Sequence, residues 1–266
     1  MPYESLAALC AKTCKITEEV ANFIRTECGK VQLDQIDVKS LNSLVSYVDK
    51  NAELQLVAQL QKLLPEAAFL TEEETIESTD AAYRWIIDPL DGTTNFLHQL
   101  PFFAISVALQ HHGKTILGVV YEVNRKECFS AWKDGGSWLN GKQIKVSGNA
   151  VFQDALFATG FPYYDYSKTK SYMEVLEYLM KNSRGIRRFG AAALDLAYVA
   201  CGRFDAFFEY SLSPWDVAAG ALLVEEAGGK VCDFKGGDDF VFGKEIIAAS
   251  GEMYEEVSSL VIERFG

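Results

Sequence analysis

The chain has 266 residues, of which 49% are hydrophobic and 23% are charged. This composition is typical of a globular protein with enough material for one large domain or two joined ones. The formal net charge of −12 disfavours general attraction to nucleic acid or to anionic lipid. The sequence contains no apolar run of about eighteen residues and no signal-peptide pattern, so we expect a cytoplasmic protein that does not span a membrane.

The first part of the chain, residues 1–148, is predicted to be α+β. Apolar residues at helical spacing predict a helix over residues 4–28, which Gly29 ends, and residues 30–44 are predicted to form a loop. A second helix is predicted from about Val48 to Leu64. Short strands are predicted at 68–72 and 83–88, and a meander of β-hairpins is predicted over 102–146.

The second part, residues 149–266, is predicted to be α/β, because strands and helices alternate along it. The predicted strands lie at 154–160, 185–189, 205–210, 230–234 and 245–250. The predicted helices lie between them, at about 167–181, 191–200 and 215–227, and a last one ends the chain. No linker separates the two parts, so we expect one compact unit with the active site between them.

Three acidic stretches share one setting, the end of an apolar strand or the start of a helix. They are FLTEEE, IIDPLDGTT and LSPWDVAAG, which contain Glu72 and Glu73, Asp88 and Asp91, and Asp216. An all-oxygen set of ligands without histidine or thiolate favours hard cations, Mg²⁺ or Mn²⁺. Each carboxylate taken alone is better explained by a structural role, as a turn or helix-cap aspartate or as part of a solvated acidic turn. Their combination predicts a divalent metal site.

The residues after Asp91 are suited to phosphate. Gly92 lets the backbone approach a ligand closely, and the N–H groups of Gly92 and Thr93 open a short predicted helix that can cradle phosphate oxygens. The Thr93 hydroxyl can orient a water molecule. The Asp-x-x-Asp spacing differs from the Asp-x-Asp of aspartyl-phosphate phosphatases, which argues against a carboxylate that attacks phosphorus.

The strings WIIDPLDGTTNF and LSPWDVAAGALLVEEAGG together resemble the two defining motifs of the inositol monophosphatase family. The resemblance extends over nearly the whole chain, and within the family the sequence is most similar to bacterial inositol-1-monophosphatases. It implies a layered αβαβα sandwich of the inositol monophosphatase and fructose-1,6-bisphosphatase type, usually a homodimer. It also implies a Mg²⁺-dependent, Li⁺-inhibited phosphatase with two or three Mg²⁺ per active site, for which Mn²⁺ could substitute.

The resemblance also implies roles for individual residues. The first metal would be held by Glu72, Asp88 and the carbonyl of Leu90, the second by Asp88, Asp91 and Asp216, and a weaker third by Glu72. Thr93, paired with Asp49, would position the attacking water, with Glu72 as a further catalytic residue. The implied substrate contacts are Asp91, Gly92, Thr93, Asp216 and, on the alcohol half, Ala192 and Glu209. Further candidates for the site are Lys39 and Glu73.

Two positions depart from the family pattern. Thr71 stands where a glycine usually precedes the first metal glutamate, and Ala191 stands where a serine or threonine is common. Neither position is a metal ligand. We therefore expect activity, while these departures bear on the metal-site loop and on substrate preference.

The expected reaction is hydrolysis of inositol monophosphate, or of a similar polyol or sugar phosphate, by a metal-activated water. Three other phosphatases of the family are alternatives: fructose-1,6-bisphosphatase, histidinol-phosphate phosphatase and 3′-phosphoadenosine 5′-phosphate phosphatase. A different alternative is a regulatory protein that contacts RNA or a partner through Arg184, Arg187 and Arg188. We expect these arginines to form a solvated loop face, and we do not expect nucleic acid or membrane as partners.

Overall fold

The computed structural model describes residues 5–40, 43–77, 81–162 and 165–266. The first part of the chain forms, in order, α1 (Leu6–Glu27), β1 (Ile36–Ser40), β2 (Ser43–Ser46), α2 (Tyr47–Leu63), β3 (Ala68–Thr71), β4 (Tyr83–Asp91), α3 (Thr93–Leu97), β5 (Ala104–His111), β6 (Lys114–Glu122), β7 (Glu127–Trp132), β8 (Ser137–Leu139) and β9 (Lys142–Ile144). The second part forms β10 (Leu156–Thr159), α4 (Thr169–Asn182), β11 (Gly185–Arg187), α5 (Ala192–Ala200), β12 (Ala206–Tyr210), α6 (Pro214–Glu226), β13 (Lys230–Cys232), β14 (Glu245–Ala249) and α7 (Tyr254–Phe265).

Two sheets dominate the fold. The larger has seven strands in the order β3-β4-β5-β6-β7-β8-β9 and is antiparallel except for the parallel pair β3 and β4. The smaller has five strands in the order β11-β10-β12-β14-β13. Its first three strands are parallel, while β14 runs antiparallel to both of its neighbours. The predicted meander is therefore confirmed, and the second sheet is mixed.

Helices lie on both sides of each sheet and make five layers. Helices α1 and α2 cover one face of the seven-stranded sheet, where Leu56 and Trp85 are fully buried. Helices α5 and α6 fill the space between the two sheets around Leu196 and Leu223. Helices α4 and α7 cover the outer face of the smaller sheet around Phe208. This arrangement confirms the predicted αβαβα sandwich.

Two predicted elements differ from the structure. The segment 30–44, predicted as a loop, contains β1, which pairs with β2 as an antiparallel hairpin. The strand predicted at 83–88 continues to Asp91, because β4 resumes its pairing with β5 after an irregularity. Among the described residues, no helix is both long enough and apolar enough to cross a membrane.

Helix α6 packs unusually close to its neighbours, and two glycines make this approach possible. A Cβ atom on Gly220 would lie 2.5 Å from the Cβ of Leu196 in α5. A Cβ atom on Gly118 in β6 would lie 2.8 Å from the carbonyl oxygen of Ala219. Real Cβ atoms do not approach other atoms this closely, so both contacts require glycine. The position of α6 between the sheets therefore depends on them.

We expect Gly220→Ala to destabilise the protein by about 1–3 kcal/mol, the usual cost of overpacking a core. Helix propensity alone would favour alanine by about 1 kcal/mol, so a net loss isolates the steric conflict with Leu196. Urea denaturation of both proteins measures the difference. The control is Gly148→Ala, since a Cβ atom there would meet nothing within 4 Å. Equal losses in the two variants would contradict the role assigned to Gly220.

Candidate active site

A cleft of about 150 Å³ opens where the end of β4 meets the first turns of α3, α5 and α6 and the ends of β10 and β12. Both sheets therefore contribute to it. Most of the site residues named from the sequence line this cleft: Glu72, Asp88, Leu90, Asp91, Gly92, Thr93, Ala192, Glu209 and Asp216.

A β-bulge brings Asp88 and Asp91 to the same side of β4. Asp88 is opposite Ser106 on β5, and Asp91 is opposite Ala104, so three steps along β4 match two steps along β5. In a regular strand, residues three apart point to opposite faces. The extra residue corrects this, and Pro89 lies within the bulge, where its missing N–H does no harm. One carboxylate oxygen from each of Asp88, Asp91 and Asp216 consequently lies within 4.8 Å of the others.

Backbone N–H groups hold each of these three carboxylates by one oxygen. Oδ1 of Asp88 accepts a hydrogen bond from Leu90 (2.9 Å), and Oδ2 of Asp91 accepts one from Ala193 in the first turn of α5 (2.8 Å). Oδ2 of Asp216 accepts one from Ser213 just before α6 (2.7 Å). The backbone therefore holds each of the three carboxylates in place.

The three carboxylates are buried close together, and the repulsion between them favours binding of a cation. Burial raises the pKa of Asp88 well above its usual range, and the charges of Glu72, Asp91 and Asp216 raise it further. Burial, opposed by the Ala193 N–H and reinforced by Glu72, raises the pKa of Asp91 to about 7. Burial and the charge of Asp91 raise the pKa of Asp216 to about 7. Closely spaced carboxylates offer oxygen ligands to a divalent metal ion, and the charge of that ion would neutralise theirs.

Glu72 lies beside this trio because its N–H donates to the carbonyl of Ile87, the residue before Asp88 (3.2 Å). The loop after Glu72 is held by Glu53 of α2, a residue that our sequence reasoning missed. The fully buried Glu53 accepts hydrogen bonds from the N–H groups of Glu73 and Thr75, each at 2.8 Å. The available signal was the spacing of Asp49 and Glu53, four residues apart on one helix face. Glu73 is not among the residues that line the cleft.

Asp49 and Thr93 form a hydrogen-bonded pair at the edge of the cleft. The Thr93 hydroxyl lies 2.9 Å from Oδ1 of Asp49 and 3.0 Å from the carbonyl oxygen of Leu90. Oδ2 of Asp49 accepts from the N–H (2.9 Å) and the hydroxyl (2.7 Å) of Ser46, which caps α2. Asp49 is only 1% exposed. Burial raises the pKa of Asp49, and the hydrogen bonds from Ser46 and Thr93 oppose this effect.

Glu209 and Ala192 also line the cleft. Glu209 is buried, with only 7% of its surface exposed. Its carboxylate occupies the space beside Gly160, where any Cβ atom would overlap it. Burial raises the pKa of Glu209, and the positive charge of Arg188 opposes the shift.

The prediction of a solvated face for three arginines is wrong for Arg188. Arg184 and Arg187 are exposed, but Arg188 is partly buried and lines the cleft. Successive residues at the end of a strand point to opposite sides, which separates Arg187 from Arg188. A cluster of arginines in the sequence does not reveal this division.

Three further positions named from the sequence are Thr71, Ala191 and Lys39. Thr71 is buried at the end of β3, and its hydroxyl has no hydrogen-bond partner among the described residues. Ala191 lines the cleft directly before α5. Lys39 falls in β1, but its side chain lies outside the described part of the structure. The role of Lys39 stays a prediction.

Comparisons with known proteins match most of the length of this chain. Residues 6–264 match the profile of the inositol monophosphatase family. The chain is 41% identical to an inositol-1-monophosphatase of Mesorhizobium japonicum over 84% of each chain. It is 43% identical to Nus factor SuhB of Pseudomonas aeruginosa, over 86% of this chain and 88% of that relative.

A solved structure agrees with these matches. The extragenic suppressor protein suhB from Bartonella henselae superposes with a TM-score of 0.90 at 39% identity, and the alignment covers 96% of this chain and 98% of that one. The sequence match and the fold both extend over the cleft and over all the elements that form it. The chain is therefore a member of the inositol monophosphatase family.

Proposed function

We propose that the protein is a Mg²⁺-dependent phosphomonoesterase that hydrolyses inositol monophosphate or a similar polyol phosphate. The observation that carries this proposal is the convergence of Asp88, Asp91 and Asp216 beside the hydrogen-bonded pair of Thr93 and Asp49. The three carboxylates are suited to binding cations, and the pair of Thr93 and Asp49 is suited to orienting a water molecule. The homodimer, the sensitivity to Li⁺ and the division at residue 148 stay predictions.

The residues that would hold the metal ions are Glu72, Asp88, Asp91, Asp216 and the carbonyl of Leu90, all of which line the cleft. When bound, Mg²⁺ ions supply charge that stabilises the phosphoryl oxygens and lowers the pKa of water. The protein contributes rigid ligands, since backbone N–H groups fix the aspartates before any metal arrives.

Thr93 and Asp49 would orient the attacking water. A hydroxyl has one proton to donate and two lone pairs. If the Thr93 hydroxyl donates its hydrogen bond to the buried carboxylate of Asp49, the Thr93 oxygen can still accept a hydrogen bond from water. Gly92 has φ +91°, and a Cβ atom there would lie 3.1 Å from the carbonyl of Phe102, so glycine keeps the backbone N–H groups open to a phosphate.

Other phosphatases of the family remain alternative activities, because the metal and water residues would serve them equally. A second kind of function is suggested by the relative named Nus factor SuhB, and the exposed Arg184 and Arg187 are the residues that could contact RNA or a partner. The carboxylate trio favours the enzyme, since a binding surface has no need of it. Release of phosphate from a panel of inositol, fructose, histidinol and nucleotide phosphates, with Mg²⁺ or with chelator, tests the proposal.

We expect Asp88→Asn to lose activity at least about 100-fold, because one lost charge at a preorganised site has effects of this size. Its raised pKa means that ionised Asp88 lowers the folding stability of the metal-free protein as the pH rises, whereas asparagine carries no such charge. The metal-free variant should therefore melt no lower than wild type at pH 7.5. Near wild-type turnover at ordinary Mg²⁺ concentrations would rule out a central role for Asp88.

We expect Thr93→Ala to lower kcat about 100-fold or more, the usual contribution of a group that handles the reacting proton. Its effect on the Mg²⁺ concentration for half-maximal activity should be small, because the hydroxyl carries no metal charge. Thr93→Ser is the matched control, since it keeps the hydroxyl that Asp49 accepts from. A collapse of metal affinity in Thr93→Ala would make Thr93 a ligand instead.

We expect Glu209→Gln to lower kcat/KM for inositol 1-phosphate about 10-fold or more, since hydrogen bonds to a charged acceptor contribute about 1.5–3 kcal/mol. The buried carboxylate would accept from substrate hydroxyls; burial raises the pKa of Glu209, and the positive charge of Arg188 opposes this shift. The ester p-nitrophenyl phosphate has no such hydroxyls and should be nearly unaffected. Equal losses on both esters would show that Glu209 supports the metal site, not the alcohol.

A further inference from the structure

Glu53 is a buried carboxylate that the proposed reaction does not use directly. It lies on α2, one helical turn after Asp49, and it is fully buried. Its Oε2 accepts a hydrogen bond from the N–H of Glu73, and its Oε1 accepts one from the N–H of Thr75, both at 2.8 Å. Burial of a polar group costs free energy unless hydrogen bonds replace its contacts with water. An apolar side chain would fill this position without that cost, which indicates a role for the two oxygens.

The two hydrogen bonds shape the loop that follows β3. Their donors lie on either side of Glu74, which has φ +51°, in the left-handed region that residues other than glycine rarely adopt. A turn of this kind directs nearby backbone N–H groups to one side, where they can surround an anion. The Glu53 carboxylate occupies that place, and its hydrogen bonds would offset the cost of the strained conformation.

These contacts act on the backbone of Glu72, which lines the cleft. The Cα atom of Glu72 lies between two peptide groups, and both are held. The N–H of Glu72 itself donates to the carbonyl of Ile87 (3.2 Å), and the N–H of Glu73 donates to Glu53 (2.8 Å). The direction in which the Glu72 side chain leaves the backbone is therefore fixed from both sides.

The three aspartates of the cleft are supported in a different way. Backbone N–H groups bond directly to the carboxylate oxygens of Asp88, Asp91 and Asp216. None of these donors belongs to the loop that Glu53 holds. A change at Glu53 should therefore affect Glu72 more than the aspartates.

We propose that Glu53 is a positioning residue, which sets the affinity of the metal site to which Glu72 contributes. It contacts no metal itself. It restricts the loop, so that Glu72 reaches a cation without first losing conformational freedom, as residues that support metal ligands commonly do. The inference rests on the proposed function for the identity of the metal ligands.

Glu53→Gln tests this role, because glutamine has nearly the same shape but only one acceptor oxygen for the two N–H groups. Electron paramagnetic resonance measures Mn²⁺ binding to the metal-free protein, at a temperature at which each variant is folded. We expect Kd for at least one Mn²⁺ ion to rise about 10-fold or more, the usual effect of losing a residue that supports a metal ligand. The matched control is Glu66→Gln, which removes an exposed glutamate just after α2 and should leave Mn²⁺ binding unchanged.

A double-mutant cycle separates this role from a general stabilisation of the loop. If Glu53 acts through Glu72, Glu53→Gln should change the Kd of the Mn²⁺ ions that a Glu72→Gln protein still binds by less than about 2-fold. In an Asp216→Asn protein, Glu53→Gln should still weaken binding about 10-fold. Equal effects in the two proteins, or unchanged Mn²⁺ binding in folded Glu53→Gln, would overturn the positioning role.

If Glu53→Gln does not fold, Thr75→Pro takes its place in the same cycle, since proline has no N–H to donate to Glu53. The binding measurements need no substrate. A protein that gives the expected Mn²⁺ cycle but releases no phosphate from any ester would contradict the proposed function and support the positioning role. A protein that binds no Mn²⁺ would overturn both.

Discussion

Repulsion among three buried carboxylates dominates the electrostatics of the cleft. A one-residue bulge in β4 turns Asp88 and Asp91 to the same side, and Asp216 joins them from α6. Burying these charges together destabilises the fold in the absence of a cation. The surrounding architecture holds them nevertheless, because backbone N–H groups from three separate segments each fix one carboxylate oxygen.

Two of the site aspartates perform a structural and a chemical task at once. Asp49 and Asp216 each occupy the third position of a helix and bond back to the serine that begins it, Ser46 in α2 and Ser213 in α6. One oxygen of each carboxylate accepts the hydrogen bond of the helix cap. The other oxygen of Asp49 contacts Thr93, and the other oxygen of Asp216 faces the cleft. Cap and ligand were competing explanations of Asp216 in the sequence, yet the structure allows both, since a carboxylate has two oxygens.

Much of the fold could be predicted because its signals are local. The periodicity of α1 predicts a helix over 4–28, against Leu6–Glu27 in the structure, and the turns after β5, β7 and β8 contain glycine. The hairpin of β1 and β2 was missed because the alternation of Ile36 and Val38 with polar residues is short, and no glycine or proline marks a turn in segment 30–44. The bulge was also missed, since it depends on pairing with β5 and not on the composition of β4.

The candidate site was predictable as a set of motifs but not as a geometry. The family resemblance supplied the roles of Glu72, Asp88 and Asp216, whereas spacing alone left each as a turn or cap residue. Glu53 and Arg188 escaped prediction for one reason. A charged residue is normally expected at the surface, and only long-range packing decides that these two face inward.

The hydrogen bond between the Ala193 N–H and Asp91 has a consequence for the order of folding. Its partners are 102 residues apart in the chain, and the bond between Ser106 and the carbonyl of Trp215, which joins β5 to α6, spans 109. While the chain is being synthesised, the seven-stranded sheet is complete long before α5 and α6 emerge. Until then, the two aspartates of β4 lack these partners, and the charge of Asp216 and the burial by the second part of the chain, which both raise the pKa of Asp88, are added only when that part packs against the sheet. Contacts of such high sequence separation form slowly, and we infer that closure of the cleft is a late event in folding.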